Sequence, residues 1–307
     1  IMPSLVGSEM CIRDSSSFEG EVYYSGGQLT VVKEGKRRVK VPLVDVAVIL
    51  IGPKTMVTGG TIEGVARNGC SLLVCDWKRE PAAALHPWSF HTRVAARQRA
   101  QASLSVPRQK NAWKMLVQGK IRGQAHNLKA IDSKAAQHLE KLAKSVHSGD
   151  PENVEGTAAS YYWRRLFGPD YRRDANSRDN INGALNYAYT ILRGHVMRSL
   201  TAAGLAPVLG IHHKHRGNNF ALADDLIEPF RPFVDYHVHT MVEGCTLTDL
   251  SIPETKRELV ALTQGQFAPG GDTLPTVIQD LCTAFGQYVE GDIQTLPVLY
   301  WEGPFVE

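Results

Sequence analysis

The sequence of 307 residues has no long uncharged apolar run, and its few cysteines form no recognisable pair. A membrane-spanning helix needs roughly 18 or more apolar residues, and the longest clearly apolar stretch, Val46 to Ile51, is only as long as a buried strand. The five cysteines are odd in number and contain no CxxC motif. These absences argue against a membrane span and a disulfide framework, and they favour a reduced, cytoplasmic compartment.

Acidic residues are absent from a long segment in the middle of the chain. No Asp or Glu lies between Glu80 and Asp132, although nine Lys and Arg residues do, and a second basic group follows. An acid-free basic segment attracts polyphosphates through their backbone charge, and the ordinary alternative is a solvated helix face. The two groups are Arg93, Arg97, Arg99, Arg108, Lys110, Lys114, Lys120, Arg122 and Lys129, then Arg164, Arg165, Arg172 and Arg173.

Residues 1–15 (IMPSLVGSEMCIRDS) do not continue the pattern of the chain that follows them. They lack the basic start and the apolar centre of a signal peptide. They resemble translated library-adapter sequence of the kind found at the ends of metagenomic contigs. We therefore predict a non-native leader over residues 1–15 and assign no secondary structure to it.

The rest of the chain has two regions with different sequence patterns, and this predicts two domains. Residues 16–86 contain short β-branched or alternating segments separated by Gly and Pro, together with one helix over Gly59–Arg67, and residues 87–307 are helical in pattern. The predicted fold class is α+β, with a small N-terminal β-rich domain followed by a larger all-helical catalytic domain. The predicted strands are 21–24, 28–33, 37–41, 46–51 and 71–75, and the predicted helices after residue 87 are 91–103, 107–130, 133–145, 151–167, 180–203, 221–241, 253–262 and 274–289.

Three of these helix boundaries have a specific signal. Asp150 before Pro151 predicts an N-cap followed by proline at the first helical position. Gly204 predicts the end of the long helix before it. Pro229 is expected to kink the helix over 221–241 without ending it, because apolar residues recur beyond it.

Three acidic residues in the helical part are candidates for chemistry. Asp225 and Glu228 are three residues apart and share one face of a predicted helix, and Asp224 lies about 100° away from Asp225 on that helix. Glu155 lies one turn into its own helix, beside small residues. Each acid taken alone has an ordinary explanation, which is charge decoration of a helix start or close helix packing.

The histidines leave a choice open. His212, His213 and His215 follow Gly210, and adjacent residues of an extended chain point in opposite directions, so at most one of the adjacent pair reaches a given metal. A second pair, His237 and His239, lies in a helical pattern, where a separation of two residues points the rings apart. We interpret that second pair as structural.

Two or three carboxylates with one imidazole suit Mg²⁺ or Mn²⁺ better than zinc or calcium. Beside basic helices, such a metal would polarise a phosphodiester. Two other interpretations are a non-catalytic nucleic-acid-binding protein and a metallohydrolase of small phosphoesters. The acid-free segment disfavours the second of these, because a small substrate needs no such surface.

Several ordered motifs then resemble one family. LAPVLGIHH followed by RGNNFALADDLIEPFRPFVD resembles the signature of the CRISPR spacer-acquisition integrase family, CRISPR-associated protein one, in the form found in type II systems. The segments VPLVDVAVILI, ARNGCSLLVCDWKREPAA, EGTAASYYWRRLFGPDYRRD and NINGALNYAYTILRGHVMRSLTAAGL fit the same family in the same order. The resemblance covers roughly residues 18 to 300.

The resemblance implies a catalytic and metal-binding set. The family's glutamate falls on Glu155, its histidine, the last residue of a GxxH element, on His213, and its second acid on Glu228. Asp225 falls where an accessory acid would be expected. The family's first strand is expected to be missing or replaced by the leader.

The resemblance also implies function and partners. The expected activity is that of a metal-dependent DNA endonuclease and integrase with Mg²⁺ or Mn²⁺, which joins the 3′-hydroxyl ends of a prespacer to the CRISPR repeat. Its partners would be double-stranded DNA, a second copy in a homodimer, and CRISPR-associated protein two as a bridging subunit. The residues expected to contact DNA phosphates are Arg93, Arg97, Arg164 and Arg165.

Overall fold

The computed structural model describes residues 11–15, 20–32, 39–76, 81–85, 92–177, 179–247, 249–250 and 252–304. Within these residues the protein has strands first and a mostly helical part after them. The predicted order, a β-rich region followed by a helical region, is therefore confirmed. The strands are β1 (Cys11–Ser15), β2 (Gly20–Ser25), β3 (Gln28–Val32), β4 (Val39–Pro42), β5 (Val46–Ile51), β6 (Thr55–Val57), β7 (Ser71–Cys75) and β8 (Pro81–Leu85). The division into domains at residue 86 stays a prediction.

One four-stranded sheet has the order β1-β5-β7-β8, and its central strands β5 and β7 are buried on both faces. On β5, Ile49 faces a core shared with the other strands, whereas Val48 and Leu50 face the core of the helical part. The same alternation holds on β7, where Leu72 and Leu73 belong to different cores. Because successive side chains of a strand point to opposite faces, a sheet covered on both sides requires the continuous apolar run that the sequence shows at β5.

The second sheet has the order β4-β3-β2-β6 and begins with a tight hairpin. Gly26 and Gly27 join β2 to β3, with φ angles of 59° and 78°, and Ser25 pairs directly with Gln28. A two-residue loop with two positive φ angles matches the twist of the flanking strands and favours glycine at both positions.

Three strands differ from the prediction. β1 occupies residues to which the sequence analysis assigned no structure, and it pairs in parallel with β5, so the expected gap at the first strand of the sheet is filled. β6 and β8 were not predicted either. β6 has only three residues and β8 is alanine-rich, and each forms because a neighbouring strand offers free backbone groups rather than because its own side chains favour a strand. The predicted strands 28–33 and 37–41 lie partly outside the described residues, at Lys33, Arg37 and Arg38.

The helices are α1 (Gly59–Arg67), α2 (Val94–Ala102), α3 (Val106–Leu128), α4 (Ser133–Ser145), α5 (Val154–Leu166), α6 (Asn180–Ala202), α7 (Ala221–Leu226), α8 (Arg231–Glu243), α9 (Pro253–Leu262) and α10 (Leu274–Glu290). Each predicted helix has a counterpart, although His91, the first residue of one of them, lies outside the described residues. α6 ends before Gly204, which has the left-handed φ of 72° expected of a helix stop. α6 lies directly on the first sheet, since a Cβ atom at Gly194 would be 3.1 Å from Val48 Cγ1.

The helix predicted over 221–241 is in fact interrupted. α7 ends at Leu226, a 3-10 turn occupies Glu228–Phe230, and α8 starts at Arg231. Pro229 and Pro232 both lack a backbone N–H, so two of the hydrogen bonds of a continuous helix cannot form there. The expected kink is therefore a break, and Glu228 lies in the turn that it creates.

Candidate functional site

The first turn of α5 holds Glu155 through two capping side chains. Asn153 is the N-cap, with a left-handed φ of 51°, and its side chain accepts a hydrogen bond from the Gly156 N–H. Asp150 accepts from the N–H groups of Val154 and Glu155, at 2.9 and 3.0 Å. The prediction that the helix begins at Pro151 with Asp150 as N-cap was wrong by three residues, but Asp150 still satisfies N–H groups of the first turn.

Two glycines on α3 allow the turn that carries Glu228 to lie close to this helix. A Cβ atom at Gly119 would be 2.8 Å from Val298 Cγ1 and 3.4 Å from Pro229 Cβ. A Cβ atom at Gly123 would be 2.9 Å from Pro232 Cβ. The distances to Val298 and Pro232 are shorter than ordinary van der Waals contact, so a side chain at Gly119 would clash with Val298 and one at Gly123 with the first turn of α8.

Lys120, which lies between these glycines, joins the two acids predicted to bind metal. Its Nζ is 2.5 Å from Glu155 Oε1 and 2.6 Å from Glu228 Oε2. The two carboxylate oxygens are therefore separated by no more than the sum of these distances. Burial would lower the pKa of Lys120, but Glu228 and Glu155 outweigh that effect and raise it. The ammonium group is thus charged and lies between two carboxylates.

Glu228 is ionised although its side chain is only 5% exposed. Burial would raise the pKa of Glu228, but the positive charges of Arg231 and Lys120 lower it to about 2. Arg231 Nε donates to Glu228 Oε1 at 2.9 Å. Among the described residues, Oε2 has no partner besides the Lys120 ammonium. One oxygen of Glu228 is therefore committed to Arg231, and the other lies at a cation.

A second buried layer lies behind Arg231. The Arg231 guanidinium stands 4.6 Å from the centre of the Tyr189 ring, and the Tyr189 hydroxyl donates to Asp235. Burial raises the pKa of Asp235 to about 7. This arrangement keeps Arg231 in a fixed position against Glu228.

Asp225 organises the segment that carries His213. It is fully buried, and its two oxygens accept from the backbone N–H groups of Ile211, His212 and His213 at 2.6, 3.1 and 3.1 Å. The same carboxylate lies 2.7 Å from His213 Nδ1, and this hydrogen bond raises the pKa of His213. A Cβ atom at Gly210 would be 2.5 Å from the His213 carbonyl oxygen, so the turn requires glycine there.

The accessory metal-binding role expected for Asp225 stays a prediction. Its oxygens accept or share four hydrogen bonds, and its side chain has no exposed surface. The contact with Nδ1 leaves Nε2 as the His213 nitrogen open to a ligand.

The neighbouring histidines have other partners. The His212 ring is stacked on Trp113 at 4.0 Å between centroids, and the His213 ring meets the edge of the same Trp113 at 5.7 Å. His215 is exposed, and its Nδ1 accepts from the Gly217 N–H. Of the three histidines left open by the residue pattern, His213 is the one held by a buried carboxylate.

The second pair of histidines is packed among aromatic rings. The His237 ring lies 4.5 Å from that of Phe233, and burial lowers the pKa of His237 to about 4. The His239 ring contacts Phe167 at 5.7 Å. These contacts support the interpretation of the pair as structural.

The described residues contain no group of three or more His, Cys, Asp or Glu side chains already arranged around one point. Glu155 and Glu228 meet at the Lys120 ammonium, and His213 is close enough to Glu228 for the two charges to interact. The structure thus brings together the two predicted acids, and it places the predicted histidine within electrostatic reach of Glu228 without closing a three-donor cluster.

Two of the four arginines expected at DNA are engaged within the protein. Arg97 is buried, and it pairs with Glu290 at 3.0 Å and donates to the Ala203 carbonyl at 2.6 Å. Its assignment as a DNA contact stays a prediction, which its burial and internal partners do not favour. Arg93 is 61% exposed, but its Nη2 lies 2.9 Å from the same Glu290.

The other two arginines, Arg164 and Arg165, line an open cleft on α5. The lining of this cleft also includes Gly156, the residue after Glu155. The cleft has a volume of about 620 Å³. The residues that line the cleft are Asn153, Gly156, Thr157, Ser160, Tyr161, Arg164 and Arg165. Arg165 stands 4.8 Å from the centre of the Tyr161 ring, and its Nε lies 3.5 Å from Asp132 Oδ2. Two arginines at an open surface suit a polyanion such as a nucleic-acid backbone.

Sequence reasoning missed three residues of this centre: Lys120, Arg231 and Trp113. Lys120 was counted only as part of the basic surface, although it is buried. Its signal was its spacing, because it lies seven residues after Trp113 on α3 and therefore on the same helix face. Arg231, three residues after Glu228, is the partner expected for an acid on a helical turn.

The fold and the centre together define a mixed α/β enzyme whose helical part brings two acids, a lysine and a carboxylate-bound histidine together beside a basic cleft. The model of the family described as CRISPR associated protein Cas1 matches residues 16–265, and the chain belongs to this family. Its activity is that of an endonuclease and integrase of spacer acquisition in CRISPR adaptation. This confirms the resemblance read from the motifs.

Individual relatives agree with this assignment. CRISPR-associated endonuclease Cas1 of Neisseria meningitidis serogroup C is 36% identical over 243 residues, which are 78% of this chain and 79% of that protein. CRISPR-associated endonuclease Cas1 2 of Saccharolobus solfataricus is 28% identical over 228 residues, or 71% of each.

Solved structures share the fold at lower identity. A Cas1 protein from Thermotoga maritima has a TM-score of 0.75 at 12% identity and covers 94% of this chain and 99% of its own. A casposase bound to integration product has a TM-score of 0.72 at 20% identity, with coverage of 98% and 95%.

Two further expectations concern the cysteines and membranes. Cys70, Cys75, Cys245 and Cys282, whose side chains are described, are all free thiols. Within the described ranges, no helix is both long and apolar enough to span a membrane.

Proposed function

We propose that this centre performs metal-dependent strand transfer and hydrolysis of DNA, with Glu155, His213 and Glu228 as ligands of Mg²⁺ or Mn²⁺. The observation that carries the proposal is the convergence of Glu155 and Glu228 on one positive charge. When bound, the cation would polarise a phosphoryl oxygen and stabilise the in-line transition state. Two carboxylates and one imidazole are donors that suit these two cations.

The side chains themselves support this donor set. Within the part of the chain that the structure describes, the buried anionic Glu228 Oε2 has no partner other than the Lys120 ammonium, which stands in for a cation. A histidine whose second nitrogen is bound to a carboxylate is the usual form of a metal-binding histidine, and His213 has this form with Asp225. A measurement of metal binding tests whether His213 is the third donor.

The residues of the chain have distinct parts in the reaction. Arg231 keeps Glu228 ionised, and Asp225 keeps the His213 ring in one orientation. A DNA 3′-hydroxyl then attacks a phosphodiester of the CRISPR repeat, and a new P–O bond forms as the bond to the leaving 3′-oxygen breaks. Water in place of the hydroxyl gives hydrolysis, so the same centre would nick DNA.

The proposed partners are double-stranded DNA, as prespacer and as CRISPR repeat, CRISPR-associated protein two, and a second copy of the chain in a homodimer, in the cytoplasm. Structures named as a Cas6-RT-Cas1–Cas2 complex and as a casposase bound to integration product have the same fold. These assemblies support the proposal by analogy of fold.

An integration assay tests the function. The full chain, a short DNA duplex, a repeat-bearing plasmid, the partner subunit and Mn²⁺ are combined, and joined products are resolved on a denaturing gel. We expect joining with Mn²⁺ and none after chelation. Joining that persists after chelation would contradict the metal, DNA binding without any joining or nicking would favour a binding protein, and activity confined to a model phosphoester would favour a small-substrate hydrolase.

The cleft on α5 makes a separate prediction. Replacing Arg164 and Arg165 with alanine should weaken binding of a DNA duplex and lower the slope of log K against log salt by about 0.9 for each arginine that contacts phosphate. Fluorescence anisotropy at several salt concentrations measures both quantities. Arg67→Ala is the matched control, because Arg67 is 76% exposed on α1 and pairs with Glu63 on the same helix. An unchanged slope in the double variant would remove the cleft from the DNA-binding surface.

A further inference from the structure

We infer that Lys120 is an internal counter-cation, which holds Glu155 and Glu228 together in the metal-free protein and competes with the divalent metal for them. The inference rests on the proposed function, because it concerns the same two carboxylates. It assigns to Lys120 a positioning role that also sets the affinity of the centre for metal.

The geometry places Lys120 between acids from two different elements. Its ammonium lies 2.5 Å from an oxygen of Glu155 on α5 and 2.6 Å from an oxygen of Glu228 in the 3-10 turn. The side chain is 11% exposed, so water screens these charges only weakly. Without a positive charge at this point, two buried carboxylates would face each other and repel.

Lys120 cannot move aside easily through its backbone. It lies within α3 between Gly119 and Gly123, and both glycines are packed against the segments around Pro229 and Pro232. Its side chain, in contrast, has four rotatable carbon–carbon bonds, so the ammonium can leave while the helix stays in place. A metal that binds both acids has to displace this ammonium, and the displacement costs binding free energy.

Glu228 keeps a second positive neighbour, Arg231, when Lys120 is removed. Arg231 binds the other oxygen of Glu228, at 2.9 Å. Among the described residues, it makes no hydrogen bond or ion pair with Glu155. Removing Lys120 therefore leaves Glu228 paired and turned in the same direction, while it frees the oxygens that the metal would take. The expected effect of the change is tighter metal binding.

The experiment compares Mn²⁺ binding to the metal-stripped full chain and to the Lys120→Met variant by isothermal titration calorimetry. We expect Lys120→Met to bind Mn²⁺ on the order of tenfold more tightly. The variant should also unfold at a lower temperature without metal and recover most of that loss when Mn²⁺ is added. Lys129→Met, at the exposed end of the same helix, is the matched control and should bind as the parent does.

A second variant, Lys120→Gln, separates the loss of charge from a possible folding defect in Lys120→Met. Lys120→Gln keeps hydrogen-bond donors for both acids and lacks the charge, and it should show the same tightening. Equal or weaker Mn²⁺ binding by folded Lys120→Met or Lys120→Gln would overturn the inference while the proposed function survives. If neither the parent nor any variant binds Mn²⁺, the inference and the proposed metal centre both fail.

Discussion

Glu228→Gln should abolish strand transfer and nicking while binding of DNA persists. Glutamine has nearly the same shape, but it is neutral and offers only one oxygen, so the proposed cation loses a charged ligand. Loss of residues that merely support a metal ligand already costs 10- to 100-fold, and we therefore expect a fall of more than about 100-fold in the rate of joining. The rate is measured in the integration assay with Mn²⁺, and DNA affinity by anisotropy.

The same substitution also removes a negative charge from between two positive ones. Arg231 and Lys120 would lose their shared partner, and breaking a buried pair in this way typically costs about 3–5 kcal/mol. Circular dichroism and thermal unfolding are needed beside the assay, so that loss of activity is separated from loss of fold. Glu243→Gln is the control, because this acid is 71% exposed on the neighbouring helix α8. A folded Glu228→Gln variant that still joins DNA at the parental rate would rule out this residue as a metal ligand.

Asp225→Asn should destabilise the segment that carries His213 and lower joining activity. The carboxylate accepts three backbone N–H groups and the His213 ring nitrogen. An amide keeps one accepting oxygen and turns its NH₂ group toward N–H donors, so at least one buried donor loses its partner at a cost of about 1–3 kcal/mol. Urea unfolding should show this loss, and joining activity should fall because the His213 ring is no longer fixed.

The neighbouring residue provides the control for this change. Asp224 pairs with Arg193 at 2.7 Å and accepts from Asn218, and its side chain is partly exposed. Asp224→Asn should therefore cost less stability and leave Mn²⁺ affinity unchanged, whereas Asp225→Asn should weaken Mn²⁺ binding through His213. Equal effects of the two substitutions on stability and on Mn²⁺ affinity would show that Asp225 does not position the histidine.

Much of the fold could be predicted because its signals are local. The continuous apolar run at β5 and the helical periodicity of α3, α4 and α10 reflect neighbours within a few residues along the chain, and the structure has these elements nearly where they were expected. The strands β6 and β8 could not be predicted, because they depend on backbone groups offered by strands elsewhere in the sequence.

The candidate site also has a part that could be predicted from the sequence and a part that could not. Motif order indicated Glu155, His213 and Glu228, because these residues lie in long segments typical of one family. The spacing of Asp225 and Glu228 predicted one shared helix face, but α7 ends at Leu226, between the two acids. Asp225 then turns toward the segment of His213 and Glu228 toward α3. No pattern along the chain reveals which of two neighbouring acids is taken by backbone N–H groups.

The sequence alone thus determined the order of strands and helices and the family, since the signals for each lie in residues that are close together along the chain. The tertiary structure alone decided which basic residues are buried. Arg97 pairs with Glu290 and Lys120 lies between two acids, although both belong to the same acid-free segment as the exposed Lys129. The partners of a charged side chain come from distant parts of the chain, so its local composition cannot distinguish a phosphate contact from an internal ion pair.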